Sequence, residues 1–592
     1  MQIFKDYKKY KQYEPEYEKW KNNIEQTEIK RKQYIKQHGL KMSREDLERT
    51  KTFLNAVDIM DEYSQSNAES MENVSEMMQN SLKSYAVQAG IILGALSWRL
   101  PALQKVFNKF AEKYPRASLG LIALPPVIGA LAGIIAAVPL TVWAASKQIG
   151  ASQKGRFEAM RKDLFNPALF AILTLEQEKQ AKKTAADIPI DEDMKKSSDA
   201  RLGKSSEIKS SFKQFLSLFK KDKEYEKQKK EFDEKLKEHE SRFNEPLSAE
   251  DIERAEKDKQ LIAKVVEKMD YASQEYAEQT ELATNTFKAF ALAGGGVSGW
   301  LSSKLLKLIK TANPAVKQFL PIVIGLITAS ILTILPAKLQ KQASRIGRFQ
   351  VRKELLNNPD ELIYIDENKL PKGEVKIPEK KKENFLKYLF RIVKENKEYN
   401  DYVKKEGIKQ LQRQKAVEKI KLSDKQLKDA KTLQMNIFKT FNRVDGKSQQ
   451  YAESVEAAGE IIKEVLQPVL AFTGPALGAL WAEKDFSKIL KAGADAPLSA
   501  ANKPLFKFIS GILLTGFLPI IALDTVFTKK QIKASRIADM LALKELDDYR
   551  HYVDYDNLSP ADKGAQNTSA VKNAAGQSSS NLLELYSSRK TA

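Results

Sequence analysis

One polar pattern, Asp-x-x-Ser-Gln-x-x-Ala-Glu, occurs three times in the chain. Its aspartate, glutamine and glutamate fall four residues apart, so on a helix they lie along one face. Three such faces brought together would form a polar ring that binds a cation or a partner, or they would form hydrogen bonds that join helices. We favour the second interpretation. The positions are Asp61, Gln65, Glu69, Asp270, Gln274, Glu278, Asp445, Gln449 and Glu453.

No other residues have the spacing of a catalytic or metal site. The chain has no cysteine, which excludes disulfides, thiolate ligands and a cysteine nucleophile. The three histidines, His38, His239 and His551, lie far apart on polar stretches and are interpreted as surface residues. Gly203-Lys204-Ser205 resembles the end of a phosphate-binding loop, but no apolar strand precedes it. The sequence therefore predicts a non-enzymatic protein with no cofactor and no metal site.

The polar pattern belongs to a longer unit that is present in three copies. Each copy starts a helix at a serine, Ser43, Ser248 or Ser423, with Asp or Gln three residues later, as in a capping box. The polar pattern follows, then two apolar runs separated by a basic stretch, and then a basic exit. The copies span 1–195, 205–378 and 385–556, and residues 557–592 have the composition of a disordered tail.

The two apolar runs of each copy predict a helical hairpin, at about 85–145, 289–337 and 465–527. About 20 apolar residues cross a bilayer, and the second run of each copy approaches or exceeds that length. We therefore expect an all-α membrane protein in which each copy is a long charged helical arm leading into a transmembrane hairpin. The six or so apolar segments allow a pseudo-threefold arrangement. Glycine pairs in the first runs would pack helices closely, at Gly90, Gly94, Gly295, Gly299, Gly474 and Gly478.

A formal net charge of +21 favours anionic partners. The basic residues border the apolar runs and do not interleave with stacking aromatic residues, which favours a lipid bilayer with anionic headgroups over nucleic acid. The predicted headgroup contacts are Lys105, Lys109, Lys304, Lys307, Arg156, Arg345, Arg348 and Arg536. The arms are expected in the cytoplasm.

These features favour a non-enzymatic integral membrane scaffold or tether. Its arms, such as 221–242 and 380–421, are predicted to be solvated helices or loose coiled coils that engage protein partners or lipid surfaces. One alternative is a channel or transporter formed by the three hairpins, and another is a secreted effector or translocator that inserts into a membrane. The oligomeric state is left open.

Overall fold

The computed structural model describes residues 12–65, 67–68, 145–192, 194–195, 223–308, 342–377, 385–492 and 518–558, with ten further positions from 100 to 143. Over this part the chain is mostly helical, at 84%, and contains no strand. The predicted helical class is therefore correct.

Three helices carry the polar pattern, and we call them the core helices. They comprise 44–65, Ala249–Leu308 and Asp424–Ala492. Each begins directly after its predicted capping serine. The backbone N–H three residues later donates to that serine hydroxyl, at 3.0 Å in the first copy, 3.1 Å in the second and 3.2 Å in the third. The three N-caps predicted from sequence are confirmed.

Three further helices, which we call the return helices, lie at or after the end of the second apolar run of each copy, and the third includes residues 518–527 of that run. They comprise 145–162, 342–357 and Leu518–Glu545. In two copies a glycine lets the return helix approach the core helix of its own copy. A Cβ on Gly155 would lie 2.2 Å from the carbonyl oxygen of Tyr63, and one on Gly347 would lie 2.3 Å from that of Ala272. No side chain fits at either contact.

The main apolar core lies where the three core helices meet. Each core helix contributes side chains eight, four and one residues before its repeated aspartate, which is the spacing of one helical face. All nine are at most 1% exposed: Phe53, Val57, Met60, Ile262, Val266, Met269, Ile437, Phe441 and Val444. Because residues of all three copies build this core, the copies fold around one another instead of forming separate domains.

Shorter helices surround this bundle, at Glu14–His38, Leu175–Asp187, Lys223–Ser241, Phe385–Tyr402 and Ile408–Val417. A π-helical turn, Val403–Gly407, joins the last two. Short 3-10 helices lie at Pro167–Phe170, Pro359–Leu362, Glu367–Lys369, Tyr549–Tyr552 and Tyr555–Asn557.

The charged arms dock on the bundle through aromatic residues, in contrast to the solvated helices that the sequence predicted. Phe232 packs edge-on against Phe157 with ring centroids 5.7 Å apart. Tyr388 and Ile392 are buried in a cluster with Ile346. A few apolar residues on one helical face are enough to hold each arm in place.

The prediction of an all-α membrane protein is wrong. In the described part of the chain, no helix combines the length and the apolar content needed to cross a bilayer. The run 289–301 lies within the second core helix between Lys288 and Lys304, which leaves it short of the about 20 residues that a span requires. The run 465–481 lies within the third core helix, bounded by Glu464 and Glu483.

The integral membrane localisation and the orientation of the arms depended on these hairpins, and both predictions fall with them. The runs 85–98 and 319–337, most of 119–145 and the start of the last run, 509–517, lie outside the described residues. So do residues 559–592 of the predicted tail.

Candidate functional site

The three repeated aspartates meet at the centre of the bundle. Asp61, Asp270 and Asp445 each place a carboxylate oxygen within 4.8 Å of the other two, and all three residues are at most 1% exposed. They directly follow the last apolar position of each core helix, so a polar layer covers the end of the shared core. We call these aspartates and the side chains that contact them the axial layer.

Two of the aspartates are paired with side chains of another copy. Asp61, in the first copy, accepts a hydrogen bond from the Ser273 hydroxyl at 2.8 Å and forms an ion pair with Arg348, and both partners belong to the second copy. Asp445, in the third copy, accepts from the Ser64 hydroxyl of the first copy at 2.9 Å. It also forms an ion pair with Arg156.

The third junction has a different charge. The position that Arg156 and Arg348 occupy in the first two return helices is Asp539 in the third. Asp270, from the second copy, therefore interacts with Ser448 and Asp539 of the third copy. The contacts run in a closed order, first copy to second, second to third and third to first, and one of the three junctions brings two carboxyl groups together.

Serine pairs connect each core helix to the return helix of its own copy. The hydroxyl oxygens are 2.8 Å apart in Ser64 and Ser152, 2.5 Å apart in Ser273 and Ser344, and 2.6 Å apart in Ser448 and Ser535. Arg156 and Arg348 bind the aspartates through a terminal nitrogen of the guanidinium group, and each also donates a hydrogen bond from Nε. Arg348 Nε donates to Asp58 at 3.0 Å, and Arg156 Nε donates to Asn442 at 3.2 Å. Both acceptors precede a repeated aspartate by three residues, so the junctions share one geometry.

Burial controls the charge of the axial layer. Loss of solvent raises the pKa of Asp61 to about 6, although the Arg348 charge opposes the shift. Burial followed by the charge of Asp539 raises the pKa of Asp270 well above its usual range. Burial followed by the charge of Glu267 does the same to Asp539. At the junction without an arginine, the raised pKa values of Asp270 and Asp539 therefore disfavour ionisation of both carboxyl groups together.

Beyond the aspartates, the repeated pattern continues as a second set of buried polar contacts. Gln531 Nε2 donates to Glu278 at 2.6 Å and to Glu456 at 2.9 Å. Glu453 is buried. Gln65, Gln274 and Gln449 each hold a buried Nε2 atom with no hydrogen-bond partner among the described residues. Glu69 lies outside the described residues.

Three of the arginines predicted to contact lipid headgroups have other partners. Arg156 and Arg348 are 2% and 1% exposed and belong to the axial layer. The guanidinium carbon of Arg536 lies 3.2 Å from the centre of the Tyr271 ring. Their position beside an apolar run suggested lipid, but in the folded chain they face the other copies.

The remaining predicted positions are more scattered. Lys105 and Lys109 are exposed, and Arg345 is half-buried. Lys304, Lys307, Gly295 and Gly299 lie in the second core helix, and Gly474 and Gly478 lie in the third. Gly90 and Gly94 lie outside the described residues.

The serine and arginine side of the axial layer was not predicted. Its signal in the sequence is Ala-Ser-x-x-Gly-Arg at the first two exits against Ala-Ser-x-x-Ala-Asp at the third. Arg156 and Arg348 occupy the position that Asp539 occupies in the third copy. This reversal of charge at equivalent positions is the sequence sign that the third junction differs from the other two.

The chain matches no protein-family model, no curated protein and no solved structure.

Proposed function

We propose that the chain is a non-enzymatic scaffold in which three helical copies close around one axis and present their arms to a protein partner. One observation carries the proposal: the polar side chains that the copies share are buried in contacts between the copies. Residues used in this way stabilise the assembly. The surface available to a partner then belongs to the arms, which differ between copies.

The arm of the third copy, residues 385–417, offers the most distinctive surface. It contains nine basic and four acidic side chains. Tyr388, Ile392 and Tyr399 form the buried side of the first helix of this arm. The opposite side is free for a partner, because the side chains there point into solvent.

That opposite side combines an aromatic anchor with positive charge. Phe390 is 78% exposed and Val393 is 43% exposed. Lys394 and Lys397 are exposed beside them, at spacings of three and four residues along the same helical face. We call these four side chains the outer arm face. An acidic protein surface with an apolar pocket for Phe390 fits it, since buried aromatic residues dominate binding energy and complementary charges guide association.

The test is a triple variant, Phe390→Ser with Lys394→Glu and Lys397→Glu. The matched control is Lys235→Glu with Lys237→Glu, which makes the same change of charge at exposed positions of the Lys223–Ser241 helix. Proximity labelling in cells should give neighbours that the wild type and the control share and the triple variant loses. Equal thermal unfolding temperatures would show that all three proteins are folded.

A neighbour found in this way is then purified and titrated. We expect the triple variant to lose about tenfold or more in affinity, and the affinity of the wild type to fall with added salt. Identical neighbours for all three proteins would overturn the proposal. The proposal would also be overturned if the triple variant lost binding to anionic vesicles but kept all its protein neighbours, because the outer arm face would then bind lipid.

A further inference from the structure

The axial layer contains more negative than positive charge. Asp61, Asp270, Asp445 and Asp539 bring four carboxyl groups, whereas Arg156 and Arg348 bring two guanidiniums. When all are ionised, two negative charges have no counterpart among the axial-layer side chains that the structure describes.

The nearest other charges do not supply that counterpart. Arg536 and Glu267 lie beside Asp539 and offset each other. Asp58 contacts Arg348 on the side away from Asp61. Because Asp58 is itself negative and partly open to solvent, it adds no positive charge to the layer.

Several oxygens of this layer are buried without a hydrogen bond to any residue that the structure describes. The arginine-paired aspartates, Asp61 and Asp445, use Oδ2 for the guanidinium and the serine, and their Oδ1 atoms have no partner in this part of the chain. Neither oxygen of Asp270 accepts a hydrogen bond of good geometry, although the Ser448 hydroxyl is close enough to stabilise its charge. Asp539 Oδ1 is also buried and unpaired. A buried carboxylate oxygen without a partner costs free energy that a bound cation would recover.

We propose that the axial layer binds one calcium ion, with Asp61, Asp270 and Asp445 as its ligands. A doubly charged cation matches the two uncompensated negative charges. Carboxylate oxygens within 4.8 Å of one another are compatible with a shared Ca²⁺, which takes oxygen ligands at about 2.3–2.6 Å. Mg²⁺ requires about 2.0–2.1 Å and near-ideal octahedral geometry, whereas Ca²⁺ accepts irregular geometry of the kind that three carboxylates on separate helices provide.

The competing state is a proton shared between Asp270 and Asp539, since two adjacent buried carboxyl groups do not both ionise readily. The two states differ in what they take from solution. A calcium site is saturable by metal and stabilises the fold, whereas a shared proton leaves the protein indifferent to calcium at neutral pH.

The full-length chain tests this at neutral pH. The protein is stripped with EDTA, dialysed, and titrated with CaCl₂ by calorimetry. Because the layer is buried and entry of an ion into the folded chain can be slow, a second sample is unfolded and refolded in CaCl₂, and its bound calcium is measured. We expect one ion per chain and a higher thermal unfolding temperature, with a smaller effect from MgCl₂. Absence of saturable binding in both preparations, with no thermal shift, would overturn the proposal in favour of the shared proton.

Asp539→Arg is the decisive variant, because it restores the residue that the other two return helices carry. It should fold, unfold at a temperature equal to or above that of the calcium-free wild type, and lose the response to calcium. Asp270→Asn should weaken calcium binding by about tenfold or more, because affinity follows the number of charged ligands. Glu231→Gln, at an exposed carboxylate, is the matched control and should bind like the wild type. An undiminished response in Asp539→Arg would place the ion elsewhere.

Discussion

Two histidines that are far apart in the sequence flank one aromatic ring in the fold. The His239 and His551 rings lie edge-on to Phe243, with centroids 5.7 Å and 4.8 Å away. His239 Nε2 is 3.0 Å from the carbonyl oxygen of Val553. Burial and then the charge of nearby Lys439 lower the pKa of both histidines from 6.5 to about 4. Both histidines are half-buried and not fully exposed as the sequence suggested, because the 3-10 turn at Tyr549–Tyr552 brings His551 to the arm.

This pair predicts a loss of stability in acid. Between pH 6.5 and about 4 the unfolded chain binds protons at His239 and His551 that the folded chain does not, so the free energy of unfolding decreases as the pH falls. Each histidine should contribute about 1 kcal/mol by pH 4.5 after allowance for partial exposure. Urea unfolding of the wild type and of His551→Phe at pH 7 and pH 4.5 measures the difference.

Asp61 acts in the opposite direction over part of this range, because its raised pKa lets the folded state bind a proton first. Asp61 is present in both proteins, so its contribution cancels in the comparison. A loss of stability in His551→Phe as large as that of the wild type would contradict the prediction.

At the scale of helices, the packing of the return helices depends on a glycine contact. Gly155→Ala and Gly347→Ala would each place a methyl group against a carbonyl oxygen of the adjacent core helix. The helices would have to separate, and we expect a loss of about 1–3 kcal/mol in the free energy of unfolding for each variant.

Gly150→Ala is the matched control, because it lies in the first return helix with nothing within 4 Å of the added Cβ. It should be neutral or gain up to about 1 kcal/mol from helix propensity. Equal effects of Gly150→Ala and Gly155→Ala in denaturant unfolding would show that the close approach is not required.

The sequence predicted local features of the helices better than their contacts. The capping serines were recognisable because a cap is a contact within one turn. The sequence drew attention to the glycine pairs that include Gly295 and Gly474, but it gave no sign that Gly155 and Gly347 lie against the backbone of a core helix. Spacing along one chain shows which residues share a face, but it does not show which face of another helix they meet.

For the whole molecule, the membrane prediction failed because no described helix combines the length and the apolar content of a span, and the runs 289–301 and 465–481 lie between charged residues inside long helices. The arms were predicted to be solvated, but Phe232, Tyr388 and Ile392 attach them to the bundle. The repeat and the convergence of three polar faces followed from the sequence. The cyclic pairing did not, because Arg156 and Asp445 lie far apart in the chain and only tertiary packing brings them together.

The closed order of the three copies is the central claim, and the contact between Asp445 and Arg156 tests it most directly because it joins the third copy to the first. A double-mutant cycle combines Asp445→Asn, Arg156→Met and the double variant, measured by urea unfolding with EDTA present. The exposed pair Lys227 and Glu231 serves as the matched control. Each single change leaves a buried partner uncompensated and should cost about 3–5 kcal/mol.

The double variant should lose far less than the sum of the two single variants, and circular dichroism and tryptophan fluorescence should report one shared transition. The control pair should show almost no coupling. Additive losses at Asp445 and Arg156, or separate transitions for the two probes, would contradict a fold in which the three copies close on one another.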